Sequence, residues 1–148
     1  MFPDIRTYGI LRAIFSDAQE IDAVIARTGV CVADLPYEMF VDNDDASITI
    51  GRPHLRDASD EILYLDIIHE LCHVKQHLQG RDLYDRSKAY VDRETEIEAY
   101  RVTVQEARRI GLNDDAILNY LCVSWITPEE HKRLALRLDV NGGTIPDR

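Results

Sequence analysis

Apolar positions along the chain switch between two spacings, and the switches place the elements. In SDAQEIDAVIARTG (16–29) they recur at helical intervals. Ser16 and Gln19 fit a capping box, and Gly29 stands where a helix stops. In YEMFV (37–41) and SITIG (47–51) the pattern alternates instead, with Tyr37, Met39 and Val41 on one run and Ile48 and Ile50 on the other. The turn-rich DNDDA between them predicts a β-hairpin. SDEILYLDIIHELCHVKQHLQG (59–80) returns to the helical spacing. Ser59 suits its N-cap, Asp60 and Glu61 its first turn, and Gly80 its C-terminal stop.

A polar loop, RDLYDRSKAYVD (81–92), leads to a second long helix in RETEIEAYRVTVQEARRIG (93–111), ending at Gly111. NDDAILNYLCVSW (113–125) predicts a short helix. TPEEHKRLALRL (127–138) predicts a last one, with Thr127 as cap, Pro128 at the first helical position and Glu130 completing a capping box. The tail DVNGGTIPDR (139–148) is expected to be loose. The class predicted is α+β, mostly helical, with a small antiparallel sheet. A chain of 148 residues is expected to form a single domain, with its core in 37–111 and its C-terminal helices in 113–138.

Charge narrows the partners. Twenty-seven acidic residues against 17 basic ones give −10 at neutral pH, which disfavours nucleic acid and anionic membranes as partners. The first residues, MFPDIRTYGILRAIF, fit neither a signal nor a transit peptide, and no run has the roughly eighteen apolar residues of a membrane span. Cys31, Cys72 and Cys122 form no C-x-x-C pair, so free thiols in a cytoplasmic protein are expected. A buried strand or loop position is expected for Cys31.

Candidate chemistry concentrates in IIHELCHVKQH (67–77). A helix sets His69 and His73 about 40° apart and one turn above each other, as two imidazoles must be to reach one ion at about 2.0–2.1 Å. Glu70 points to the flank of that pair. There a carboxylate can take a proton from a water acidified by the ion without ligating the ion itself. Tyr64, Ile67, Ile68, Leu71, Val74 and Leu78 fall on the opposite arc and are expected to pack on a core, leaving the histidines facing a cleft. His77 extends the row, but on a continuous helix it lies about 12 Å along the axis from His69, too far to share an ion with it.

A third ligand is sought among Glu94, Glu96 and Glu98. Ile97, Tyr100, Val104, Ala107 and Ile110 define an inward face with Glu96 near its middle, while Glu94 and Glu98 fall with Arg101, Gln105 and Arg108 on the solvent side. A carboxylate facing a core needs a cation, and a zinc ion supplies one. A salt bridge to the nearby Arg93 is the other way to satisfy it.

HELCH followed by ETEIEAY resembles the gluzincin branch of the zincin metallopeptidases, in which a second helix brings a glutamate to two histidines. The resemblance covers about 37–111 and implies a zincin-like fold, one zinc ion per chain held by His69, His73 and Glu96, and Glu70 as general base in peptide-bond hydrolysis. Cys72 stands where a glycine is common. Tyr100 replaces an acidic or amide residue that orients a histidine, a role that Asp66 could take over. The resemblance further implies a substrate laid along an edge strand, for which SITIG is the candidate. It also implies an oxyanion-stabilising side chain, for which Tyr84, Tyr90, His54 and His131 stand unranked. A peptide or protein, including a regulatory protein, is the expected substrate. Two alternatives stay open: a zinc-binding regulatory or interaction module without turnover, and a metal-free helical domain.

Overall fold

Alternation in the hairpin segments produces two strands, β2 (Met39–Val41) and β3 (Ile48–Gly51), paired antiparallel with Val41 opposite Ile48 and Met39 opposite Ile50. Val41, Ile48 and Ile50 are buried on their common face. In the computed structural model, which describes residues 4–142, a further strand β1 (Val30–Ala33) lies parallel to β3. The sheet order is β1-β3-β2, so the sheet is mixed rather than antiparallel. This order overturns one expectation. SITIG forms the central strand, hydrogen-bonded on both sides, and has no free edge to offer a substrate; the edges belong to β1 and β2.

The backbone groups into two compact units, 1–84 and 85–148. Besides the sheet, the first contains a 3₁₀ turn (Ile5–Thr7), α1 (Leu11–Ile14), α2 (Ala18–Arg27), α3 (Arg52–Asp57) and α4 (Asp60–Leu78). The cap of α2 falls one residue later than expected: the Asp17 carboxylate accepts from the Glu20 N–H, and Glu20 accepts from the Ser16 N–H in return. Asp17 is the better cap because its carboxylate also meets the positive end of the helix dipole. Ser59 caps α4 as expected, its hydroxyl accepting from the Ile62 N–H, and Gly80 leaves the helix with φ 74°.

Helix α4 packs against β2 and α1. It is not the one-sided amphipathic helix of the sequence reading. Every residue from 65 to 74 is buried, polar and apolar alike, including His69 and His73, which were expected to look into a cleft. Leu78, placed on the core arc, is 59% exposed, while Leu65, outside that arc, is completely buried. A wheel identifies the most apolar arc but not how far along the helix the cover extends, and here the cover ends before the last turn.

The second unit contains a 3₁₀ turn (Tyr90–Asp92), α5 (Glu94–Arg109), α6 (Asp114–Leu121) and α7 (Pro128–Arg137). Its helix ends follow the local signals. Gly111 leaves α5 with φ 98°, Asn113 caps α6, and Thr127 with Glu130 forms the capping box of α7 behind Pro128. The Asp92 carboxylate receives both Arg133 and Arg137 and ties α7 to the 3₁₀ turn. Of the tail expected to be loose, Val140 is buried with its N–H on the Ala135 carbonyl, and the Asn141 N–H donates to Asp114. The rest of that tail, 143–148, lies outside the described residues. No helix among the described residues is long and apolar enough to cross a membrane.

Candidate metal centre

Helical periodicity on α4 brings His69 and His73 into contact, their ring centroids 4.7 Å apart and their planes 81° to each other. The two Nε2 atoms face each other at 3.1 Å. His73 Nδ1 lies 2.7 Å from Gln76 Oε1. An amide oxygen only accepts, so Nδ1 carries the proton and Nε2 presents its lone pair. Gln76 is itself buried, which fixes the ring's orientation as well as its tautomer. The sequence reading missed Gln76. Its one signal is the i+3 spacing from His73, which puts both on one helix face.

On α5 the side chains divide as the wheel places them: Glu94 and Glu98 are exposed, and Glu96 is 5% exposed. One ligand atom each from His69, His73 and Glu96 all lie within 4.8 Å of one another. It is the only such group of three or more His, Cys, Asp or Glu among the described residues. His77, half-buried, is not part of it. Arg93, the alternative partner for Glu96, is engaged elsewhere: its Nε donates to the Asp85 carbonyl at 3.0 Å and its guanidinium lies near the Tyr90 ring.

The donor set fits a small divalent ion. Two imidazole nitrogens and one carboxylate oxygen are the ligand types zinc accepts. A tetrahedral ion with bonds of about 2.0–2.1 Å sets neighbouring ligand atoms about 3.3 Å apart, close to the separation of the two Nε2 atoms. Glu70, next to His69 in sequence, is also buried. Three protein ligands leave one tetrahedral position for water or substrate.

The other candidates separate cleanly. His131 Nε2 donates to the Leu118 carbonyl and ties α7 to α6. The Tyr84 hydroxyl donates to the Val41 carbonyl, and the Tyr90 and Tyr100 hydroxyls are 2.8 Å apart. His54 Nε2 lies 2.7 Å from an Asp66 carboxylate oxygen.

Asp66 raises the His54 pKa, the hydrogen bond outweighing the opposing effect of burial. Glu38, nearby, is also pushed up, first by burial and then by the charge of Asp66. Both shifts have the same sign for stability. The His54 contribution is complete below its ordinary value of 6.5 and is lost as pH rises through the raised folded value. That of Glu38 is complete below its ordinary 4.5 and is lost over a lower range. Replacing His54 with Asn is therefore expected to flatten the decline in stability above about pH 6.5. Urea midpoints measured across a pH series for both proteins check this, and an identical slope in the variant would contradict it.

No protein-family profile, curated protein or solved structure matches the chain.

Proposed function

We propose that this protein is a small zinc-dependent metallopeptidase of the gluzincin type, with a zincin-like fold, in which His69, His73 and Glu96 hold the ion and Glu70 is the general base. The observation that carries the reading is the convergence of two imidazoles and a buried carboxylate within 4.8 Å. When bound, the ion supplies Lewis acidity, bringing the pKa of a water toward about 7 and polarising a carbonyl. Glu70 takes the proton of the attacking water and delivers it to the leaving amine. Gln76 keeps His73 in the tautomer that coordinates.

The substrate strand belongs on β2 rather than β3. The Gly51 N–H donates to the Glu38 carbonyl and the Asp42 N–H to the Ser47 carbonyl, so even-numbered residues of this strand face β3. The Met39 N–H and C=O then point away from β3, whereas Val41 is buried and its carbonyl is taken by Tyr84. Such an edge can bind an extended peptide through its main chain. The setting proposed is cytoplasmic, in keeping with three free cysteines. The substrate proposed is a peptide or protein, including a regulatory protein, rather than nucleic acid or membrane.

The test is incubation with a mixed peptide library and with unfolded casein, reading new termini by mass spectrometry. Cleavage is expected to stop on chelation and return with zinc. Zinc bound in full without cleavage of either would replace the peptidase with a zinc-binding module lacking turnover.

A further inference from the structure

The apolar face of the sheet continues beyond its cover. Val30 lies opposite Ile48 and Val32 opposite Ile50, on the same side of the sheet. Ile48 and Ile50 are 1% and 6% exposed, yet Val30 and Val32 are 57% and 41% exposed. Cys31, on the other face, is exposed rather than buried as expected. The backbone of this strand is open as well. The Ile48 N–H donates to the Gly29 carbonyl, so in the parallel pattern residues 29, 31 and 33 turn toward β3 and residues 30 and 32 turn outward. None of the four outward N–H and C=O groups of Val30 and Val32 has a hydrogen-bond partner among the described residues. Natural edges are usually blunted by lysine, proline or a bulge, and V-C-V-A has none of these.

We propose that β1 pairs antiparallel with β1 of a second copy about a two-fold axis at Cys31, joining the two sheets into one of six strands. The strand is complementary to itself in this register. Val30 pairs with the partner's Val32, and the reverse, so every outward group meets an outward group and four hydrogen bonds close. The same pairing sets four valines side by side on the bare apolar face. A peptide of arbitrary sequence would satisfy the amides but not this reciprocal match. With four residues per strand the interface is at the small end of specific ones, so association in the range of about 10–100 μM is expected.

Sedimentation equilibrium of the full chain from about 5 to 500 μM tests this, a range that brackets the expected affinity. The weight-average mass is expected to rise from 17.0 kDa toward twice that value. Val32→Lys, at a position open enough to accept lysine, is expected to stay monomeric with an unchanged thermal midpoint. In the proposed register the two Cys31 α-carbons face each other at about 4.5 Å, within disulfide range. Diamide, accepting two electrons and two protons from the two thiols, is then expected to cross-link the wild type and Cys122→Ser but not Cys31→Ser. A mass of 17.0 kDa throughout, a dimer that survives Val32→Lys, or cross-linking through Cys122 instead of Cys31 would each overturn the proposal.

Discussion

Glu70→Gln is expected to leave zinc bound and, if the protein is the proposed peptidase, to lower kcat for peptide cleavage by about 10²–10⁴-fold, the contribution of a positioned general base. Glutamine keeps the size and one carbonyl oxygen of glutamate but cannot accept a proton at neutral pH. The candidate ligand atoms on His69, His73 and Glu96 are untouched, so metal content is expected to be unchanged. A role limited to the chemical step also predicts that kcat and kcat/KM fall together. Metal content and kinetics measured on the same preparation check this, and wild-type turnover with zinc in place would remove Glu70 from the mechanism.

Glu96→Ala is expected to abolish tight zinc binding, whereas Glu94→Ala and Glu98→Ala are expected to leave it intact. Three carboxylates stand within five residues of α5, yet Glu96 alone of the three is buried. Two exposed carboxylates are well solvated without an ion; the buried one is costly to ionise without a cation. The loss in affinity at Glu96 is expected to exceed the roughly 10–100-fold that removal of a supporting residue such as Gln76 produces. Competition with a chromophoric chelator measures all of these variants on one scale. An equal loss in Glu98→Ala would place the third ligand on the wrong carboxylate.

What the sequence reveals about this protein is what a few neighbouring residues determine. Ser59, Gly80, Gly111 and Thr127 mark helix ends correctly because caps and left-handed turns are set within one turn of chain. The hairpin is legible because alternation and a short turn are local. β1 is not, since V-C-V-A lacks alternation and its partner lies 18 residues away in parallel register, Val30 against Ile48. The failure of SITIG as an edge has the same origin: alternation specifies which face a strand buries, not which strands flank it.

The site divides along the same line. The spacing of His69 and His73 is helix geometry, and Glu96 stands out because a carboxylate interrupts an apolar face. Gln76 does not stand out, because an amide three residues after a histidine is ordinary on any helix. The His54–Asp66 bond joins residues 12 apart on different helices, and nothing in either neighbourhood announces it. In each case the missing information is which surfaces meet, and that is decided by packing.

The most direct test of the metal centre is zinc content by plasma mass spectrometry on the wild-type chain, purified without chelator, incubated with zinc and freed of excess. The arrangement of His69, His73 and Glu96 predicts about one zinc per chain, bound tightly enough to survive desalting. Less than about a tenth of an equivalent would contradict it and leave three buried polar side chains that hold no ion.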